Sequence, residues 1–152
     1  MENKCKCCGE YKFNYEFEIC PICGWQNDPI QNEDENFFGG ANDLSLRKYK
    51  YYYNKGIKNV NEHFIKIANN FNENINFLNI EFIIDYNYVI LFSYNNQEYK
   101  FEQINNNFIL QNGKTTIKLD NLYDNILDNS NINIILNKAQ NIRIKRKINI
   151  LK

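Results

Sequence analysis

The chain shows two successive hydrophobic patterns, the first of which is helical. Over residues 43–71, apolar side chains recur every three or four positions, as on one face of an amphipathic helix. One helix is predicted to begin near Asp43 or Ser45, either of which can cap it, and to end before Gly56. A second helix is predicted over residues 62–71.

From residue 72 onward the pattern changes to short β-branched and aromatic runs that are separated by turn signals. Such runs are predicted to form an antiparallel meander. The clearest turn signal is Asn112-Gly113, which predicts a two-residue type I′ hairpin turn. The predicted strands are Ile80–Ile84, Tyr88–Phe92, Tyr99–Ile104, Phe108–Gln111, Lys114–Leu119, Ile132–Leu136 and residues 142–150.

The last part of the chain adds one helix and a basic strand to this prediction. A helix is predicted over residues 120–129, because the leucine and isoleucine side chains there fall near one helical face. The final strand alternates isoleucine with Arg143, Lys145 and Lys147. Its outer face is therefore predicted to be basic.

All five cysteines lie close together near the start of the sequence. Cys5 and Cys8 form one C-x-x-C-G knuckle, and Cys20 and Cys23 form a second. A gap of two residues places both sulfurs on one side of a tight turn, and the glycine lets backbone N–H groups point at them. The four thiolates predict a tetrahedral site for structural Zn²⁺, and a single iron in a rubredoxin-like site is the alternative.

Cys7 is left over by this assignment. Using it in place of Cys8 would shrink the first knuckle to C-x-C and strain the turn. We therefore expect Cys7 to pack beside the ligands without binding the metal. A pair of disulfides would also leave one odd thiol, and it would need an oxidising compartment.

The segment between the knuckles carries a two-residue alternation. Tyr11, Phe13, Tyr15 and Phe17 alternate with polar residues, which predicts a hairpin or a strand. A knuckle, a short β element and a second knuckle are the parts of a zinc ribbon.

Three stretches resemble the bacterial cysteine-rich CPCC family. They are CKCCG, YEFEICPICGWQNDPIQ and GGANDLSL, and the resemblance runs from about Cys5 to about Ile67. The chain departs from the family pattern at Lys6, where proline is usual, which removes some rigidity from the first knuckle but no ligand. The resemblance implies a zinc-ribbon-like metal site and implies no catalytic activity.

These patterns together predict an α+β protein with two parts. Residues 1–71 are expected to form a four-cysteine zinc ribbon with one or two helices. Residues 72–152 are expected to form an antiparallel β-rich module with one helix and the basic C-terminal strand.

Composition and charge narrow the classes of function. The sequence has 18 basic and 18 acidic residues, so the protein as a whole has no field that attracts polyanions. It has no apolar run of the length that spans a bilayer and no secretory pattern at its start, which predicts a cytoplasmic protein without a membrane partner. His63 is the only histidine, and no catalytic constellation stands out, so we expect that the protein is not an enzyme.

A partner-binding surface is predicted next to the knuckles. Residues 27–42 are rich in Asn, Asp, Pro and Gly and are expected to form an irregular loop. The candidate partner-binding residues are Trp25, Asp28, Glu33, Asp34 and Glu35, although Trp25 is expected mainly to pack against the metal loop.

The sequence therefore favours a non-catalytic zinc protein that binds another protein. The acidic loop suits a basic toxin or a host-defence effector, as for an immunity protein or a phage-type inhibitor. The alternative is a nucleic-acid-binding protein that uses Trp25, the tyrosine-rich first helix and the basic strand.

Overall fold

The computed structural model describes residues 3–147, and the chain divides into two compact units with a boundary between Lys66 and Ile67. The predicted α+β class is confirmed. The helices are α1 (Pro29–Glu33), α2 (Leu46–Asn54), α3 (Val60–Asn69), α4 (Phe77–Asp85) and α5 (Ile132–Lys138), with a 3-10 turn at Phe71–Glu73. The strands are β1 (Tyr88–Tyr94), β2 (Gln97–Ile104), β3 (Asn107–Gln111), β4 (Thr116–Leu119) and β5 (Gln140–Arg146). Within the described part of the chain, no helix has the length and apolar character needed to cross a membrane.

In the N-terminal unit, each pair of cysteines lies in its own small loop closed by an isolated antiparallel β-bridge. Lys4 pairs with Lys12 across the first loop, and Ile19 pairs with Gln26 across the second. The arrangement is ribbon-like, with two bridges in place of a continuous hairpin.

The prediction of a strand from the alternating aromatic residues between the knuckles is wrong. Phe13 is buried, but Phe17 is half exposed and its φ angle is 60°. The Glu18 carboxylate accepts a hydrogen bond from the backbone N–H of Asn14, which closes a turn over residues 14–17. Local side-chain bonding to the backbone therefore competes with extension of the strand.

The predicted irregular loop over residues 27–42 contains the short helix α1, which corrects that prediction. The Asp28 side chain accepts hydrogen bonds from the N–H groups of Ile30 and Gln31 at 2.8 and 3.2 Å. Pro29 is the first helical residue. An Asp-Pro pair signals a turn, but it is also a good N-cap followed by a good first residue of a helix.

The two helices predicted next to the loop are confirmed as α2 and α3. Ser45 caps α2 by accepting a hydrogen bond from the N–H of Lys48, and Gly56 follows the helix with a φ angle of 96°. Asn59 accepts a hydrogen bond from the N–H of Glu62 in the first turn of α3.

The second unit contains a five-stranded antiparallel sheet with the order β4-β3-β2-β1-β5. Ile90 pairs with Phe101 and Ile144, and Phe101 pairs in turn with Leu110. These side chains share one face of the sheet, since residues in register point the same way. The helices α4 and α5 contact β1, and the 3-10 turn contacts β5. The predicted meander is confirmed for β1 to β4, whereas residues 148–150 of the predicted last strand lie outside the described residues.

Asparagine pairs make the tight turns of this sheet. Asn95-Asn96 connects β1 to β2 and Asn105-Asn106 connects β2 to β3, with positive φ angles at all four residues. The type I′ turn predicted at Asn112-Gly113 is wrong, because residues 112–115 form a four-residue loop. There the Asn112 side chain accepts hydrogen bonds from two backbone N–H groups of the loop itself.

Two predicted strands are helices. Ile80–Ile84 lies in α4, where Asn76 caps the helix by accepting from the N–H of Asn79 at 2.9 Å. Ile132–Leu136 lies in α5, which Asn131 caps in the same way. A short and mostly apolar run is too brief for its period to separate a buried strand from a buried helix.

The helix predicted over residues 120–129 is absent, because this stretch forms turns. The Asp124 carboxylate accepts hydrogen bonds from the N–H groups of Asp120 and Asn121, both at 3.2 Å. Asp128 and Asn129 both have positive φ angles, which ends any helix there. The tendency of aspartate and asparagine to form turns therefore outweighs the weak helical spacing of the apolar residues.

Candidate metal centre

The two cysteine knuckles have the same backbone conformation. The N–H of Gly9 donates to the carbonyl oxygen of Cys5 at 2.8 Å, and the N–H of Gly24 donates to that of Cys20 at 2.9 Å. Both glycines have left-handed φ angles, 73° and 81°. Each C-x-x-C-G sequence therefore forms a closed turn that ends at a residue without a Cβ.

Backbone N–H groups point at the sulfurs inside these turns. The donors are Cys7 and Cys8 toward Cys5, Ile22 and Cys23 toward Cys20, and Trp25 toward Cys23. Such bonds favour the thiolate form, which is the form that binds a metal.

The structure brings together the four cysteines that the spacing singled out. The Sγ atoms of Cys5, Cys8, Cys20 and Cys23 all lie within 4.8 Å of one another. The Cys5 and Cys23 sulfurs are 3.5 Å apart, and those of Cys8 and Cys20 are 3.7 Å apart. A tetrahedron of sulfurs around Zn²⁺ with bonds of about 2.3 Å has edges of about 3.8 Å. These residues can therefore hold one metal ion, and all five cysteines are free thiols.

The protonation of the thiols reflects their surroundings. A hydrogen bond with Cys23 and burial raise the pKa of Cys5, and burial raises the pKa of Cys20. For Cys23, the hydrogen bond with Cys5 lowers the pKa. The interaction with the Cys7 thiol and burial raise it by a larger amount, so the pKa of Cys23 is raised overall. A cation that enters must displace these protons, so metal binding is coupled to pH.

Cys7 lies beside the site and is not one of the four. It is half-buried, and its thiol interacts with that of Cys23. This position agrees with the expectation that Cys7 packs against the ligands from outside.

Comparison with protein families gives a match between residues 3–71 and the family described as cysteine-rich CPCC. The matched segment holds both knuckles and the helices that follow them. Residues 3–71, which we call the CPCC domain, are similar to this family. The predicted resemblance is therefore confirmed. A comparison with curated proteins found no match to the chain.

In the CPCC domain, Trp25 lies behind the second knuckle. It is completely buried, its indole meets the Tyr49 ring edge to face at 5.1 Å, and its Nε1 donates to Asn32 at 3.0 Å. The predicted packing role is therefore what the structure shows. The placement of Trp25 on a partner surface is corrected, because the indole has no exposed face.

The Gly-Gly-Ala-Asn stretch of the CPCC domain is part of a buried polar network. Gln31, which is fully buried, accepts hydrogen bonds from the backbone and side-chain N–H groups of Asn42 at 2.9 and 3.0 Å. Asn42 in turn accepts from the N–H of Gln26 and donates to its carbonyl oxygen, both at 2.9 Å. Sequence reasoning missed this network, since its partners are more than ten residues apart.

Gly40 is required by the same network. A Cβ at this position would lie 2.6 Å from a carboxylate oxygen of Asp28 and 2.6 Å from the side-chain amide carbon of Gln31. Asp28 also binds this stretch directly, because the N–H of Ala41 donates to its Oδ2 atom at 2.7 Å. Asp28 thus joins the start of α1 to the Gly-Gly turn.

The predicted acidic surface is smaller than the sequence suggested. Asp28 is buried and is used as a cap, so it is removed from that surface. Glu35 accepts a hydrogen bond from Lys50 Nζ at 2.6 Å, and this lysine lowers the pKa of the Glu35 carboxyl. Glu33 and Asp34 are exposed.

Proposed function

We propose that Cys5, Cys8, Cys20 and Cys23 bind one Zn²⁺ that has a structural role. The observation that carries this proposal is the convergence of the four sulfurs within 4.8 Å. Four thiolates fill the tetrahedron around zinc, whereas a catalytic zinc keeps one position open for water. The ion would supply a crosslink between the two knuckles, and the residues around it supply the N–H groups that orient the thiolates.

Zinc is preferred to iron because closed four-thiolate sites of this kind are usually structural zinc sites. Elemental analysis of the full chain, purified without added metal, tests this choice. We expect one zinc per chain and a colourless protein. A coloured protein with one iron per chain would support the rubredoxin-like alternative.

We further propose that the protein is a non-catalytic protein-binding protein. The four thiolates are the only group of metal-binding type within residues 3–147, and the proposed zinc would use all of them. Support for a protein partner comes from the charge of one stretch of the CPCC domain. Between Glu10 and Asp43 the sequence has eight acidic residues and one basic residue. The carboxylates of this stretch that are exposed, such as Glu33 and Asp34, attract a basic partner. The specific form of the proposal is neutralisation of a basic toxin or host-defence effector.

A nucleic-acid partner is the second candidate, and the basic strand β5 favours it. Arg143 and Lys145 are exposed on this edge strand. Lys147, however, pairs with Glu102 and donates to the carbonyl oxygen of Gln103. Because Trp25 is buried, it has no face on which a base can stack. We therefore favour the protein partner.

Two parallel assays with the full chain separate these candidates. The first measures association with the purified products of neighbouring genes, and the second is a gel shift with single- and double-stranded DNA and RNA. We expect association with a basic protein, which slows when Glu33 and Asp34 are changed to lysine. The matched control changes Arg143 and Lys145 to glutamine, which should leave this association unchanged. A nucleic-acid shift that the control variant abolishes, without association with a protein, would contradict the proposal.

A further inference from the structure

One loop of the CPCC domain exposes three large apolar side chains. Tyr15, Phe17 and Ile19 are 65%, 50% and 60% exposed, and they alternate along residues 14–19, which we call the apolar loop. Exposed apolar residues that occur singly are ordinary, whereas a cluster on one short segment indicates a contact surface.

Phe17 has an unusual backbone conformation at the centre of this loop. Nine non-glycine residues among those described have a positive φ angle, and eight of them are asparagine or aspartate. The ninth is Phe17, with a φ angle of 60°. Asparagine and aspartate tolerate the left-handed region, but a bulky aromatic residue there is strained.

The hydrogen bonds that hold this conformation use only the backbone of Phe17. Its N–H donates to the carbonyl oxygen of Asn27 at 2.8 Å, and its carbonyl oxygen accepts from the Gln26 side chain at 3.0 Å. The Asn27 side chain also donates to the carbonyl oxygen of Tyr15 at 3.0 Å. A glycine at position 17 would make the same backbone bonds without the strain.

The aromatic ring of Phe17 is therefore not explained by the stability of the fold. Strained residues persist where the surrounding structure fixes them, and they are frequent at binding sites. A residue whose backbone is fixed by hydrogen bonds loses little backbone freedom on binding, which favours its use as an anchor.

We propose that the apolar loop is the docking surface for a protein partner whose contact segment places large apolar side chains next to lysine or arginine. This inference rests on the protein-binding function proposed above and places it on named residues. Glu16 lies exposed in the loop between Tyr15 and Phe17, and the surrounding sequence from Glu10 to Asp43 is strongly acidic. This charge complements a basic protein and opposes the phosphates of nucleic acids and anionic lipids.

The first test measures whether the Phe17 side chain contributes to folding. We expect the full-length, metal-loaded Phe17→Gly variant to unfold at a higher temperature than the wild type, by roughly 2–4 °C, because the strain that is removed exceeds the extra chain entropy that glycine loses on folding. Phe17→Ala keeps the strained backbone and removes the ring, so its unfolding temperature should equal that of the wild type. A lower unfolding temperature for both variants would show that the ring is structural and would overturn the inference.

The second test selects ligands for the surface. A phage-displayed library of random peptides is selected on the metal-loaded full chain. We expect enrichment of peptides in which lysine or arginine adjoins large apolar residues, and a loss of affinity of about tenfold or more for Phe17→Gly and Phe17→Ala. Selected peptides without basic residues, or a selection that enriches nothing, would contradict the inference.

The same variants distinguish failure of this inference from failure of the proposed function. Selected basic peptides that bind Phe17→Gly as tightly as the wild type would overturn the apolar loop as the site and leave protein binding standing. Binding of the wild type to oligothymidylate or to phosphatidylcholine vesicles, lost in Phe17→Gly, would assign the loop to another class of partner and overturn the inference.

Discussion

The hydroxyl of Tyr49 donates a hydrogen bond to the carbonyl oxygen of Cys23 at 2.8 Å. Tyr49 is fully buried in α2, and Cys23 ends the second knuckle. This bond ties the helix to the backbone of a proposed metal ligand. The tyrosine-rich helix that the sequence offered for base stacking thus contributes one of its rings to the support of the metal centre.

Loss of this hydroxyl should weaken the metal centre. We expect Tyr49→Phe to destabilise the N-terminal unit by about 1–3 kcal/mol, because the Cys23 carbonyl loses its buried partner while the ring contact with Trp25 remains. Thermal unfolding and the rate of metal release to a chelator measure the effect. Tyr15→Phe is the matched control, since Tyr15 is 65% exposed, and it should release metal at the wild-type rate. Equal release by both variants would contradict this role of Tyr49.

The two knuckle glycines should differ in their tolerance of alanine. Both have left-handed φ angles, but a Cβ at Gly9 has no heavy atom within 4 Å, whereas a Cβ at Gly24 would lie 2.3 Å from Oδ1 of Asn59. That oxygen also accepts the N–H of Glu62 at the start of α3, so moving it weakens the helix.

We therefore expect Gly9→Ala to destabilise the unit by about 1–2 kcal/mol from backbone strain alone. Gly24→Ala should add about 1 kcal/mol or more for the displaced cap. Chemical denaturation of the two metal-loaded variants compares them directly. An equal loss of stability would show that Asn59 can move without consequence.

The cysteine site was predictable from sequence because a C-x-x-C-G turn is a local structure. Its hydrogen bonds, such as that from Gly9 to Cys5, span four residues and need no distant partner. The same holds for the Ser45 cap of α2 and for the asparagine turn between β1 and β2. Local chemistry determines all three.

The supporting residues were not predictable, because their partners are distant in the chain. Gln31 looks like an ordinary loop residue in sequence, yet it is buried and bonded to Asn42. Likewise, the apolar run of α4 is compatible with a strand or a helix until its packing is known. The burial of Trp25 depends on Tyr49, which lies 24 positions later in the chain.

The ionisation of Tyr11 offers a test that leaves the four cysteines unchanged. The Tyr11 hydroxyl donates to the Glu18 carboxylate at 2.6 Å, and this bond raises the pKa of Tyr11 above its usual value. A raised folded pKa means that the bond stabilises the fold below the ordinary tyrosine pKa of about 10 and is lost as pH rises through the folded value.

We expect the pKa of Tyr11 to fall part of the way toward its ordinary value in Glu18→Gln, because this variant keeps a weaker, uncharged hydrogen-bond acceptor and removes the charge. The ring-carbon chemical shift of Tyr11, followed by NMR through alkaline pH, measures this change. An unchanged titration in Glu18→Gln would show that the carboxylate is not the cause.

Metal removal should affect the two units differently. The proposed ligands all lie in the unit that ends at Lys66, whereas all five strands lie in the second unit. We expect a chelator to remove hydrogen-exchange protection from residues 3–66 and to leave it in β1, β2 and β3. Simultaneous loss of protection in both regions would show that the two units fold as one.

The metal content of single cysteine variants tests the central claim most directly. Native mass spectrometry of the full chain should show one zinc in the wild type and in Cys7→Ser. Zinc should be lost or greatly reduced in serine variants of Cys5, Cys8, Cys20 and Cys23, because each removes one of the four converging thiolates. Retention of zinc in Cys8→Ser together with its loss in Cys7→Ser would contradict the account.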